Sequence, residues 1–191
     1  MTNPTTVDLT PFYTNTLDSE IHHKPGNDLS AVPHGVSEFG GVTFDVGGLI
    51  QLAGSISKEK TTLDFPPAVI GIPVHATGAV VRFLQCSSWH DAVGTTVGEY
   101  RLHYADGAVA TIPIVYGQHV LDWWFMEGDA LPTDVEVAWI GDNNRTRGLG
   151  HSIQLYTYTW PNPKPDVEIT ELDFVSADAE SAPFLMAVTL E

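Results

Sequence analysis

Gly98 to Trp124, GEYRLHYADGAVATIPIVYGQHVLDWW, is the stretch whose reading decides the fold class. Tyr100, Leu102 and Tyr104 alternate with Glu99, Arg101 and His103, the period of two expected of a strand with one buried face. A second β-rich run follows Ala105-Asp106-Gly107. Asp-Gly is favoured in tight hairpins because both central residues of a type I′ turn need positive φ. The segment therefore predicts an antiparallel strand pair over 98–115, then a Tyr116-Gly117 turn and an aromatic pair at Trp123-Trp124.

Outward from this hairpin, candidate strands fall at 41–46, 49–53, 68–72, 79–86, 135–141, 151–160, 167–175 and 184–190. Turn signals separate them, among them Gly47-Gly48, Pro66-Pro67, the Gly141-Asp142-Asn143-Asn144 loop and Pro161-Asn162-Pro163-Lys164-Pro165. About ten strands without a long amphipathic helix predict an all-β, single-domain antiparallel β-sandwich of jelly-roll type. Residues 1–40 carry Pro4, Pro11, Pro25 and Pro33. They read as a loop-rich N-terminal segment packed on a sandwich domain of 41–191, with a short strand at Val7-Asp8-Leu9. In 151–160, Ile153 and Leu155 are expected on one face, with Gln154, Tyr156, Tyr158 and Trp160 on the other. In 184–190, Phe184, Met186, Val188 and Leu190 are expected to share a core face.

The composition is 43% hydrophobic and 17% charged, which suits a packed core and not a disordered chain. A net charge of −16 argues against nucleic acid as partner, since this surface repels phosphate. No apolar run reaches the ~20 residues that span a bilayer, so no membrane insertion is expected. Residues 1–20 lack a basic n-region and an apolar h-region, so no signal peptide is expected. The chain reads either as cytoplasmic or as a module of a larger exported protein. Its single cysteine, Cys86, lies in an apolar run and is expected to be an inert buried thiol with no disulfide.

Aromatic residues beside polar loops make the best candidate site. Trp89-His90 opens a loop, Trp123-Trp124 follows a turn, and Asn143-Asn144-Arg145 forms a polar loop. Sugars offer apolar C–H faces and many hydroxyls, so their sites pair aromatic platforms with Asn, Asp, His or Arg. Large aromatics such as Trp123, Trp124 and Trp139 also serve as core residues, which is the competing reading for each. The eight histidines show no HxH or HExxH spacing, so no transition-metal centre is predicted. A structural calcium is the one metal candidate, with Asp18, Asn27 and Asp28, together with Glu20, as loop ligands. No organic cofactor is expected. No GxSxG, P-loop or GxGxxG motif is present, and nothing in the carboxylate spacing selects a catalytic pair.

Gly41–Val46, Gly71-Ile-Pro-Val-His75, Val80–Leu84 and Tyr100–Gly107 occur in an order that resembles a galactose-binding-like jelly-roll domain. In particular, it is similar to the novel putative carbohydrate-binding module group found beside glycoside hydrolases. The resemblance spans roughly 36–190 as a strand pattern and 41–124 at motif level. It implies a carbohydrate-binding β-sandwich and carries over no individual binding residue. The long N-terminal segment and an Asp122-Trp123-Trp124 insertion depart from the minimal module.

The resulting expectation is a non-catalytic domain that recognises a glycan or polysaccharide. Trp89 and Trp124 would stack on the sugar, and His90, Asn143, Asn144 and Arg145 would bond its hydroxyls. One alternative is a polysaccharide hydrolase or lyase with His90 or His103 as base. Another is an interaction or scaffold domain without a small ligand.

Overall fold

A computed structural model describes residues 4–191. The chain is all-β, with fourteen strands in antiparallel sheets. Short strands β1 (Thr5–Thr6), β2 (Asn15–Thr16), β3 (Gly35–Phe39) and β4 (Val42–Val46) precede the sandwich proper. Its first half comprises β5 (Gly48–Gln51), β6 (Ala68–Ala76), β7 (Val80–Ser88), β8 (Thr96–Tyr104) and β9 (Val109–Val115). The second half comprises β10 (Trp124–Phe125), β11 (Glu136–Gly141), β12 (Ser152–Pro161), β13 (Ile169–Ser176) and β14 (Ala182–Leu190). Two six-residue helices, α1 (Ser55–Lys60) and α2 (Asn144–Leu149), interrupt the strands.

One sheet runs β12-β7-β14-β5, extended by β10 and β11 on β12, by β2 on β5 and by β1 on β14; the other runs β6-β13-β8-β9. Apart from the β8–β9 hairpin, the connections from β5 to β9 and from β12 to β14 cross between the two sheets, which is the strand order of a jelly roll. The predicted hairpin is β8–β9, with Tyr100, Leu102 and Tyr104 buried and Glu99, Arg101 and His103 on the outer face. Its turn differs from the expected type I′. Only Gly107 has positive φ (+83°), while Gly107 N–H donates to Tyr104 O (2.9 Å) and Tyr104 N–H to Ala108 O (2.9 Å). This is a three-residue loop closed by a left-handed glycine, and the Asp106 carboxylate accepts the Ala108 N–H at 3.0 Å.

The larger sheet has a core on each side. Between the sheets lie Phe83, Tyr100, Phe174, Ile112 and Leu185, with the Phe83 and Tyr100 rings stacked at 4.2 Å and 8°. On the opposite side, Leu17, Ile21, Leu29 and the β3–β4 hairpin cover Leu84, Ile153, Leu155 and Phe184. Residues 4–40 thus contribute β1, β2 and β3 and much of this second core, and Gly40-Gly41 is the turn of the β3–β4 hairpin. The short strand falls at Thr5–Thr6, two residues before the expected Val7-Asp8-Leu9, although Val7 N–H still donates to Val188 O (2.9 Å).

Burial on both faces explains why every residue of β14 is buried. It also corrects the expected single face of that strand. The register of β14 against β7 shifts between Leu185 and Ala187. The inserted residue swaps the alternation, so Phe184 and Met186 enter the outer core while Val188 and Leu190 enter the inter-sheet core.

Candidate functional site

Two cavities flank the Asp122–Trp124 segment, and Asp122 and Trp124 line both. The first encloses about 290 Å³. Besides Asp122–Trp124, it is built from four separate segments: the loop after Ile21, the end of α1, the end of β7 and the start of α2. Each is placed by identifiable local chemistry.

β7 ends at Ser88, and Trp89 follows in the left-handed region (φ +67°), a conformation rare for a bulky residue. His22 is left-handed too (φ +58°, ψ +25°) and stacks on the Trp89 ring at 4.4 Å and 19°. Two strained residues thus brace one another at the cavity wall. His22 Nε2 donates to Gln51 Oε1 at 3.0 Å, and burial holds the imidazole down to about 4, so it is neutral at pH 7. Across the cavity, the Asn143 side chain caps α2 by accepting the Thr146 N–H at 2.8 Å. Its amide donates to Asp28 O (2.8 Å) and Asn27 Oδ1 (3.3 Å), tying α2 to the N-terminal loop. Arg145 N–H donates to Gly26 O (3.1 Å) in the same joint. The joint places the Arg145 guanidinium 5.9 Å from the Trp124 ring centroid. Lys60 reaches the cavity from the last turn of α1, and Lys24 from the Ile21–Asn27 loop. Ser88 Oγ and Trp124 Nε1, both on lining residues, are buried with no hydrogen-bond partner among the described residues.

The second cavity encloses about 300 Å³ and is lined by His90, Tyr116, Asp122, Trp124, His151 and Tyr156, among others. The Tyr116 hydroxyl accepts the Asp122 N–H (3.3 Å) and lies 3.2 Å from His90 Nδ1, while His90 Nε2 is 3.6 Å from Asp122 Oδ2. Burial pushes the Asp122 carboxyl up to about 6, against the opposing pull of the Trp124 N–H bond and of His90 and His151. Burial likewise pushes Tyr116 up to about 12.

Of the residues singled out in the sequence, Trp89, Trp124 and Arg145 meet at the first cavity, and His90 faces the second. Asn143 is buried as the helix cap, and exposed Asn144 accepts from Arg147 Nη2 at 2.6 Å. Trp123 is a core residue, 3% exposed and edge-on to Phe184. His103 lies 2.7 Å from Asp173 on the outer face of the four-stranded sheet. No group of three His, Cys, Asp or Glu side chains able to hold a metal occurs among the described residues. Of the calcium candidates, Asp28 caps the Ser30 N–H (3.1 Å), Asn27 bridges Ile21 O and Asn143, and Asp18 lies 3.9 Å from His34.

Sequence reasoning passed over His22, Lys24, Lys60 and Asp122. The adjacent pair His22-His23 carried a signal in hindsight, since both residues are left-handed and so do not alternate as strand neighbours would. A larger groove of about 750 Å³ beside Gly78 has no Trp, Tyr or Phe in its lining. No protein-family model matches the chain, and no curated protein matches it in sequence.

Proposed function

We propose that this chain is a carbohydrate-binding β-sandwich whose site is the cavity between Trp89 and Trp124. The observation that carries the reading is that these two partly buried tryptophans line one cavity together with side-chain donors. Indole faces take the apolar C–H side of a sugar ring, and the surrounding N–H and O–H groups take its hydroxyls. The jelly-roll strand order supports the resemblance to galactose-binding-like modules as far as architecture goes. The His22 ring covers one face of Trp89, so a single face of that indole serves as platform and His22 fixes its angle. Affinity is expected to be weak, because an open site of this size desolvates few groups.

The test is affinity electrophoresis of the wild type and Trp89→Ala through a panel of polysaccharides. Retarded migration of the wild type that is lost in the variant supports the proposal. Unretarded migration on every polysaccharide refutes it.

A second reading is favoured by the other cavity, where His90 stands beside Tyr116 and Asp122. A histidine next to a buried carboxylate and a phenol has the components for general acid–base work on a polysaccharide. Under that reading the polysaccharide is degraded during incubation, and His90→Ala stops the degradation. Intact polysaccharide after prolonged incubation counts against it.

A further inference from the structure

The chain has eight Lys and Arg residues against 24 Asp and Glu. Five of the eight are spent on ion pairs: Lys58 with Asp178, Arg82 with Glu191, Arg101 with Glu99, Arg147 with Asp142, and Lys164 with Asp106. Lys24, Lys60 and Arg145 form no salt bridge among the described residues, and all three line the first cavity. In so acidic a protein, unpaired cations are scarce, and chance would scatter them. They converge instead from three segments far apart in sequence. The cavity's lining contains one carboxylate, Asp122, whose Oδ2 lies 3.6 Å from His90 Nε2 on the side of the second cavity.

Resting on the carbohydrate-binding reading, we infer that this cavity selects a saccharide bearing one acidic group, with Lys24, Lys60 and Arg145 holding the anion and Trp89 stacking on the ring. Charge-assisted hydrogen bonds from ammonium and guanidinium groups to a carboxylate or sulfate oxygen are roughly twice as strong as neutral ones. Arg145 already lies against an aromatic face, which lowers the cost of fixing its guanidinium. The net charge of −16 sets the other limit. A dense polyanion is repelled by the surface beyond the cavity, whereas a single charge is screened within about 8 Å at physiological salt. The ligand is therefore an isolated uronate or a sulfate ester on an otherwise neutral glycan.

Isothermal titration calorimetry tests this with a trisaccharide carrying one uronate, its methyl ester, the corresponding sulfate ester, and inorganic sulfate. The acidic trisaccharides are expected to bind at least ~10-fold tighter than the methyl ester in low salt. Arg145→Gln and the Lys24→Gln/Lys60→Gln double variant should each erase about that factor, and Lys164→Gln should not. Both lysines are exposed, and unchanged melting temperatures of the variants confirm folding. Tighter binding of the uronate or of the sulfate ester supports the inference and identifies the anion. Equal binding of acid and methyl ester overturns it while leaving the carbohydrate reading intact. Inorganic sulfate binding as tightly as the acidic sugars, or no binding of any saccharide, overturns both.

Discussion

His22→Asn is the substitution from which the structure yields a signed prediction. His22 is held neutral by burial, with its pKa lowered to about 4 from the 6.5 it has when exposed. Between those values the unfolded chain binds a proton that the folded chain does not, so acidification favours unfolding. The stability is fully present above pH 6.5, is lost as pH falls to 4, and changes no further below that. The whole window is worth about 3 kcal/mol. Asn tolerates the left-handed backbone that His22 occupies, so the variant removes the titration without adding backbone strain. It also removes the stack on Trp89 and the hydrogen bond to buried Gln51 Oε1, together a cost of about 2 kcal/mol. At pH 7 the variant is therefore the less stable protein, and by pH 4.5 the gap has closed. Urea unfolding of both proteins at the two pH values gives the comparison directly, because every other group titrates alike in each.

Asp122 opposes this effect. Its carboxyl is raised to about 6 from 3.8, so between those values the folded chain binds the extra proton and acidification stabilises it. The gain on acidification is opposite in sign to the His22 loss and offsets part of it. Asp122→Asn removes this offset, so its stability should fall more steeply than that of the wild type as pH drops from 7 to 4.5. An unchanged gap between wild type and His22→Asn at the two pH values, or an imidazole titrating near 6.5 by NMR, refutes the burial argument.

Three further outcomes concern the scaffold. Phe83→Ala, which deletes a fully buried ring stacked between the sheets, should destabilise the protein by about 4 kcal/mol in urea unfolding. A Cβ on Gly98 would lie 2.7 Å from Val175 O, so Gly98→Ala should push β8 from β13 and cost about 2 kcal/mol by the same measurement. Cys86 is buried, its thiol is pushed up by that burial, and its Sγ donates to Leu121 O at 3.2 Å. A thiol reagent should consequently label it only at the rate of unfolding, and rapid labelling of the native protein would contradict its place in the core.

What could be read in the sequence follows the range of the interaction that sets each element. The β8–β9 pair was legible because alternation of buried and exposed residues is a property of one strand, and the observed β9 is the expected 109–115. The two-residue strands β2 and β10 were not legible, and β1 was expected two residues too late, since each exists only where a distant strand offers its edge. The β14 bulge was equally hidden. No residue type marks it, and it shows only as a register shift against β7. The cavity is harder still. Lys24, Lys60 and Arg145 are brought together by a loop closed at Asn27, a helix capped at Gly54 and a helix capped at Asn143. No window of sequence contains two of them.

Trp123-Trp124 reads in the sequence as one core residue beside one contact, and Trp123 takes the core position. In extended chain, successive side chains point to opposite faces, so two adjacent tryptophans do not present the same face. Here Trp123 is edge-on to Phe184 in the outer core, and Trp124 is turned to where Arg145 and His151 approach its ring. Trp123 is the buried member of the pair, and Trp124 packs on the edge of the same core, its ring 6.3 Å from that of Trp123. Asp122 Oδ1 then accepts the Trp124 N–H at 3.1 Å, which turns the chain and makes this segment the wall between the two cavities. A tryptophan that packs the core at one position therefore determines the placement of a carboxylate and an indole at its neighbours. Loss of Trp123 should disturb both cavities and the outer core at once, whereas loss of Trp124, which covers only the edge of that core, should open the cavities at a smaller cost in stability.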